Sequence, residues 1–109
     1  IPGARVTDRC LNPGKTSDYN GKKITYPDIR LVFWSGGNPF AQQEDTNGLI
    51  KAWKRPETTI VCDTMWKASA RFADIVLPAC TSLERVDITS IGSYSNLGYV
   101  AMQQAIEPQ

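Results

Sequence analysis

The sequence predicts an α/β fold: an open, mostly parallel sheet flanked by helices. Three observations carry this. Three short apolar runs rich in β-branched residues, Ile29 to Trp34 (IRLVFW), Thr58 to Cys62 (TTIVC) and Asp74 to Leu77 (DIVL), read as strands. The stretches between them, 41–54 and 65–72, read as helices, which gives the order strand, helix, strand, helix, strand. That alternation with short links predicts parallel pairing through right-handed crossovers. The first run is almost continuously apolar rather than alternating, the pattern of a strand buried on both faces.

The elements follow in order. Residues 8–28 are polar and turn-rich. Asn12-Pro13-Gly14 signals a turn, and Tyr19-Asn20-Gly21-Lys22 reads as a hairpin, because Asn-Gly suits the two positive-φ positions of a type I′ turn. Ile24-Thr25-Tyr26 is the expected returning strand, ended by Pro27, and the whole segment reads as a surface excursion without chemistry. The first core strand stops at Ser35-Gly36-Gly37-Asn38-Pro39. In 41–54, Ala41, Leu49, Ile50, Ala52 and Trp53 cluster towards one side of a helix ended by Arg55-Pro56, with Gly48 weakening its first half. The second strand ends at Asp63, Thr64 is the expected N-cap of helix 65–72, and Pro78 stops the third strand. Ser93, Ser95, Asn96 and Gly98 mark loop, and Tyr99 to Ile106 is expected as an extended arm. The organisation expected is a single α/β domain over 1–109, or a fragment of a larger multidomain enzyme: a polar excursion (1–28), a βαβαβ core (29–78), and a loop with an irregular arm (79–109).

Composition bounds the function. With 109 residues and 41% hydrophobic content, the chain can build one small core. A net charge of +1 from mixed acids and bases gives no basic face for nucleic acid, and no apolar run approaches the roughly 18 residues a membrane span needs. Neither nucleic acid nor direct membrane contact is expected. No signal-peptide pattern is present, and a start at Ile1 rather than Met fits an excised or processed piece. The absence of histidine removes the commonest general base and metal ligand, so Ser82 has no base for a hydrolytic triad. Cys10, Cys62 and Cys80 are odd in number and widely spaced, which argues against a disulfide framework. Cys62 and Cys80 read as small core residues, while Arg9 beside Cys10 would lower its thiol pKa. Trp34, Trp53 and Trp66 read as core or domain contacts, Glu84, Arg85 and Asp87 as a solvated salt-bridge loop, and Glu44 and Asp45 as acids favoured by a helix start.

Ligands of open α/β sheets bind beyond the carboxyl ends of the strands. The first strand ends in Gly36-Gly37-Asn38. Two glycines allow close backbone approach, and Asn38 with Pro39 can open a helix whose first N–H groups suit phosphate. The second strand ends in Asp63, placed to accept bonds from ribose hydroxyls or from the N–H edge of a base. Together these describe half a nucleotide site. The loop is GGNP, so neither the dinucleotide fingerprint nor a P-loop is present. The alternative reading is structural: Gly36-Gly37 makes a tight turn and Asp63 caps the next helix.

Several longer stretches add a resemblance. Trp34 to Phe40 (WSGGNPF), Lys51-Ala52-Trp53, Ile60 to Asp63 (IVCD), Ala70 to Pro78 (ARFADIVLP) and Thr81 to Arg85 (TSLER) resemble the molybdopterin-dependent dimethyl sulfoxide, trimethylamine N-oxide and biotin sulfoxide reductase family. The flanks Leu11 to Lys15 (LNPGK), Tyr19 to Lys22 (YNGK), Ile24 to Pro27 (ITYP) and Ser93 to Asn96 (SYSN) narrow it to the S- and N-oxide reductases, and the likeness covers essentially the whole chain. The resemblance implies a Rossmann-like segment of a large multidomain enzyme that carries molybdenum bis(molybdopterin guanine dinucleotide), with the metal held by a serine in an earlier part of the chain. It implies reduction of a small S- or N-oxide by oxygen-atom transfer, with electrons from a separate donor and the remaining domains of the same chain as partners. Cofactor-binding residues would be Gly36, Gly37 and Asn38 at phosphate and ribose, Gln42 one turn into the helix, and Asp63 at the guanine edge or ribose. No residue of the segment is expected to be catalytic or to bind metal, the segment alone is not expected to be active, and the cofactor is expected in the parent enzyme, with binding to the isolated segment left open. The parent would be periplasmic if it reduces trimethylamine N-oxide or dimethyl sulfoxide, and cytoplasmic if biotin sulfoxide.

The sequence departs from the family pattern where Gln42 and Gln43 stand for two histidines, Lys67 for threonine and Phe72 for histidine. The other readings carried forward are a stand-alone guanine-nucleotide-binding module and a structural or interaction domain without activity.

Overall fold

Asn20 and Gly21 both take positive φ, 49° and 73°, and so form the tip of the hairpin their sequence predicts. In the computed structural model, which describes residues 3–92 and 97–108, this hairpin joins β1 (Thr16–Tyr19) to β2 (Lys22–Thr25) with Thr16 opposite Thr25 and Tyr19 opposite Lys22. Ile1 and the expected loop residues Ser93, Ser95 and Asn96 lie outside the described residues. The chain divides into two compact units, Ile1–Leu77 and Pro78–Gln109.

In the first unit, β3 (Leu31–Ser35), β4 (Thr58–Asp63) and β5 (Ile75–Pro78) form a parallel sheet in the order β3-β4-β5. Val32, Trp34 and Val61 pack with Leu49, Ala52 and Trp53 of α3 (Thr46–Trp53) and with Val6 and Cys10 of α1 (Val6–Leu11). The Trp53 ring sits 5.4 Å from Trp34 and 5.3 Å from Phe40, and Phe40 stacks on Phe72 at 5.0 Å. This aromatic row joins β3, α3 and the C-terminal end of α4 (Ala68–Arg71). Trp66, by contrast, is exposed.

Four expectations change. First, β3 packs on the core by one face only: Val32 and Trp34 are half-buried, while Leu31 and Phe33 are 56% and 57% exposed. Second, the helix expected over 41–54 is broken into α2 (Pro39–Gln42) and α3, because the Asp45 carboxylate accepts the Gly48 N–H at 2.8 Å and starts a new helix. A Cβ at Gly48 would collide with that carboxylate, which explains a glycine inside a helix. Third, the helix expected over 65–72 begins at Ala68, with Lys67 and not Thr64 at the N-cap position, because Asp63 binds the Thr64 and Met65 N–H groups and holds them in a turn. Fourth, Asp74 lies outside β5. Its carboxylate takes the Thr59 N–H at 2.7 Å while its own N–H donates to the Thr59 carbonyl, extending the pairing of β4 by one reciprocal step.

The cysteines also redistribute. Cys10 is buried, Cys62 is half-buried and Cys80 is exposed, all as free thiols. Burial raises the Cys10 pKa and outweighs the nearby charges of Arg9 and Arg55. Cys10 is carried on α1, inside the N-terminal segment read as a polar excursion, and packs into the core with Leu49, Ala52 and Trp53 of α3. One carboxylate ties α1 to the hairpin: Asp8 accepts from Lys15 Nζ at 2.9 Å, Asn12 Nδ2 at 2.9 Å and Tyr26 Oη at 3.0 Å.

In the second unit, β6 (Asp87–Ile91) and β7 (Gly98–Met102) pair antiparallel, so the expected extended arm is one side of a hairpin. Arg85 and Asp87 form the expected surface ion pair at 2.6 Å, and Glu84 accepts from both N and Oγ1 of Thr81 at 2.6 Å. The Leu83 carbonyl accepts from Ala105 N and Ile106 N, which ties the tail back.

Candidate functional site

The register of the sheet builds the site. Ser35 on β3 stands opposite Cys62 on β4, so Gly36 and Asp63 are the next residues past an aligned pair of parallel strands. Both therefore emerge at the carboxyl edge of the sheet, where α/β proteins place ligands.

The turn after β3 needs its glycines. Gly36 and Gly37 have φ of 76° and 68°, a region costly for residues with a Cβ. Trp34 Nε1 donates to the Gly36 carbonyl at 2.8 Å, so the strand's own indole fixes the turn. A Cβ on Gly36 would meet nothing within 4 Å, whereas one on Gly37 would stand 3.4 Å from the Gln42 amide oxygen. Gln42 is thus folded back over Gly37, and it also lines a groove of about 270 Å³ with Ala4, Thr7, Gln43, Glu44 and Asp45.

Asn38 occupies the N-cap position of α2 with Pro39 first in the helix, as the sequence predicts, yet its side chain makes no capping bond. Its Oδ1 is buried and finds no partner among the described residues. A buried acceptor left unpaired costs ~1–3 kcal/mol. Because α2 is only four residues long, few peptide dipoles align behind this edge, and any anion would be met by the amides of the turn more than by a helix dipole.

Asp63 is strongly engaged. Its Oδ1 accepts from Thr64 N at 2.8 Å and Met65 N at 3.3 Å and pairs with Lys67 Nζ at 3.0 Å, while Ser69 Oγ donates to Oδ2 at 3.4 Å. The Lys67 ammonium, followed by the backbone N–H groups, holds this carboxyl below its ordinary pKa against the opposing effect of burial. Oδ2 keeps a lone-pair direction open to a further donor. Asp63 therefore closes a turn ahead of α4 and does not occupy the N-cap position that the structural reading expected, and a ligand role would rest on Oδ2.

Gly36, Gly37 and Asn38 share one turn, the Gln42 side chain of α2 lies over Gly37, and Asp63 ends the adjacent strand. Sequence reasoning missed Trp34 and Ser69 as supports. No spacing rule exposes an indole bonding two residues ahead, whereas Lys67 stands four residues beyond Asp63, an ion-pair spacing the sequence displays. Among the described residues, no group of three or more Cys, Asp or Glu is placed to hold a metal, and no helix is long and apolar enough to cross a membrane.

These features define a piece of an α/β protein with a glycine turn and a carboxylate at the carboxyl edge of parallel strands. The molybdopterin oxidoreductase family model matches residues 5–109, and the chain belongs to that family. It is 55% identical over 108 residues to the dimethyl sulfoxide/trimethylamine N-oxide reductase of Cereibacter sphaeroides, covering 99% of this chain and 13% of that protein. It is 52% identical over 109 residues to the trimethylamine-N-oxide reductase of Haemophilus influenzae, covering all of this chain and 13% of that one. A biotin sulfoxide reductase of Cereibacter sphaeroides is 55% identical over 108 residues, 99% of this chain and 14% of that protein. The chain thus spans about an eighth of the relatives it matches.

Proposed function

We propose that this chain is the segment of an S- or N-oxide reductase that holds a guanosine-phosphate arm of its molybdopterin guanine dinucleotide. The observation that carries the reading is the buried, unpartnered Oδ1 of Asn38 in a turn whose Gly36 faces open space. A buried acceptor without a protein partner can be satisfied by a donor that arrives with a ligand, and a ribose hydroxyl or a base N–H meets that need. The residues fit such a group: the turn admits a phosphate close to the backbone, Asn38 accepts from the sugar, Gln42 offers its amide from above Gly37, and Asp63 Oδ2 accepts from the guanine edge or ribose.

The bound cofactor would supply the oxygen-atom transfer chemistry, in its molybdenum bis(molybdopterin guanine dinucleotide) form. This segment would contribute position and electrostatics and no catalytic group. Its partners would be the other domains of the same polypeptide, with a small S- or N-oxide as substrate and a separate electron donor serving the whole enzyme. The compartment would follow the substrate: periplasm for trimethylamine N-oxide or dimethyl sulfoxide, cytoplasm for biotin sulfoxide.

A second reading, a structural domain without a ligand role, draws on the four contacts that already occupy Asp63. Molybdenum and guanine analysis of the full-length polypeptide, compared with its Asn38→Ala and Asp63→Asn variants, separates the two. Asparagine at 63 keeps an oxygen for the turn and loses the charge. Lower occupancy in folded variants supports the cofactor-arm reading. Full occupancy in both leaves the structural reading standing. Guanine-nucleotide binding by the 109-residue chain alone would instead support a stand-alone module.

A further inference from the structure

One ion pair bears the charge of the β3–β4 edge. The two turns that form this edge, residues 35–39 and 63–67, contain two charged side chains, Asp63 and Lys67. They are not equally presented. The Asp63 side chain is 7% exposed and that of Lys67 is 38% exposed, with Lys67 Nζ 3.0 Å from Asp63 Oδ1. What faces out of the pair is therefore the ammonium. Its place is fixed from both ends. The Lys67 N–H donates to the Met65 carbonyl at 2.8 Å, and the carboxylate that holds the ammonium is itself held by the N–H groups of Thr64 and Met65. An ammonium has three N–H donors. Among the described residues Lys67 is paired with Asp63 alone, so two donors remain for a ligand or water.

We propose that Lys67 is a phosphate-binding residue of this chain, its ammonium turned to a phosphate of the guanosine arm and oriented by Asp63. This role rests on the cofactor-arm reading and adds to it the charge that fits the edge for an anion. The register puts Gly36 and Asp63 at the ends of adjacent strands, which lie ~4.8 Å apart. A phosphate against the Gly36-Gly37 amides thus stands close to the Asp63 carboxylate, and their repulsion grows as water is excluded. Without Lys67 the two turns present a net negative charge to that phosphate. Glu44 and Asp45, which line the groove beside Gln42, add to it. With Lys67 the turns are neutral, and a point charge with spare donors meets the anion. Asp63 then serves through both oxygens, Oδ1 towards the cation and Oδ2 towards ribose or guanine.

The test uses the full-length enzyme with and without its cofactor. Lysines are labelled with acetic anhydride and read by mass spectrometry. Lys67 should label several-fold more slowly in the loaded enzyme, while Lys23 of the hairpin labels equally in both states. The half-time of guanine release at one fixed temperature then reads the charge. Lys67→Met should shorten it several-fold, and Lys67→Arg, which keeps a cation, should largely restore it. Equal labelling of Lys67 in the two states, or guanine release as fast from Lys67→Arg as from Lys67→Met, would overturn the phosphate role. Asn38→Ala is read in parallel. Faster release from Asn38→Ala beside an unaffected Lys67→Met enzyme defeats the role of Lys67 alone, whereas unchanged release from both defeats the cofactor-arm reading with it. The labelling needs no substitution, so it decides the matter even if Lys67→Met gives no folded enzyme.

Discussion

The side-chain amide of Gln42 lies over Gly37, so that a Cβ added at Gly37 would stand 3.4 Å from its Oε1 and 3.6 Å from its Nε2, while one added at Gly36 would meet open space. Both glycines have positive φ, so alanine at either costs ~1–2 kcal/mol of backbone strain. The Gln42 amide would stand in ordinary van der Waals contact with the added Cβ and need not move, so Gly37→Ala should cost no more than Gly36→Ala beyond that strain. Urea denaturation of the two variants reads this directly, and a clearly larger loss at position 37 would show that Gln42 is held rigidly over the turn.

Asn38 should behave as a residue kept for a ligand. Its Oδ1 is buried without a partner among the described residues, so Asn38→Ala removes an unpaired acceptor. The cofactor-free chain should be as stable as before or gain up to ~1 kcal/mol. The full-length enzyme should lose cofactor retention, measured as molybdenum remaining after gel filtration. A cofactor-free chain destabilised by more than ~2 kcal/mol would mean that Asn38 acts as a structural cap after all.

The Asp63 carboxyl should titrate below the ordinary aspartate range, near 3.9, because Lys67 and two N–H groups stabilise its charged form. A folded-state pKa below the unfolded one adds stability that is present at neutral pH and lost as pH falls through the folded value. Carboxyl NMR titration should show this, and Lys67→Ala should move the midpoint upwards. No movement on removal of Lys67 would mean that the ion pair at 3.0 Å leaves the carboxyl's charge unaffected.

Leu49 is fully buried between α3 and the sheet. Leu49→Ala should destabilise the chain by ~2–5 kcal/mol through lost burial and the cavity left behind. Lys51→Ala on the exposed side of the same helix should change stability by less than ~0.5 kcal/mol. Equal losses in urea denaturation would place the core elsewhere.

How much the sequence revealed follows from where its signals came from. Patterns local to a few residues read correctly: the Asn20-Gly21 hairpin, the three parallel strands and the edge position of Gly36, Gly37, Asn38 and Asp63. Side-chain competition for backbone groups hid the helix boundaries. Asp45 restarts a helix and Asp63 delays one, and in each case a carboxylate takes N–H groups that an uninterrupted helix would have used. Helix α1 carries little signature because only two of its residues, Val6 and Cys10, are buried, although their spacing of four is helical. The nearly continuous apolar run at Ile29 to Trp34 predicted cover on both faces, whereas the helices of the first unit pack on the Val32 and Trp34 side. The orphaned oxygen of Asn38 has no signature in the sequence, since it depends on which contacts the fold withholds.

The central claim, that this segment holds a guanosine-phosphate arm, is tested most directly by hydrogen–deuterium exchange on the full-length enzyme with and without its cofactor. The account predicts that amides of residues 36–43 and 63–67 exchange markedly more slowly in the loaded enzyme, while those of the β1–β2 hairpin are unchanged. Identical exchange at the Gly36-Gly37-Asn38 turn in the two states would contradict it.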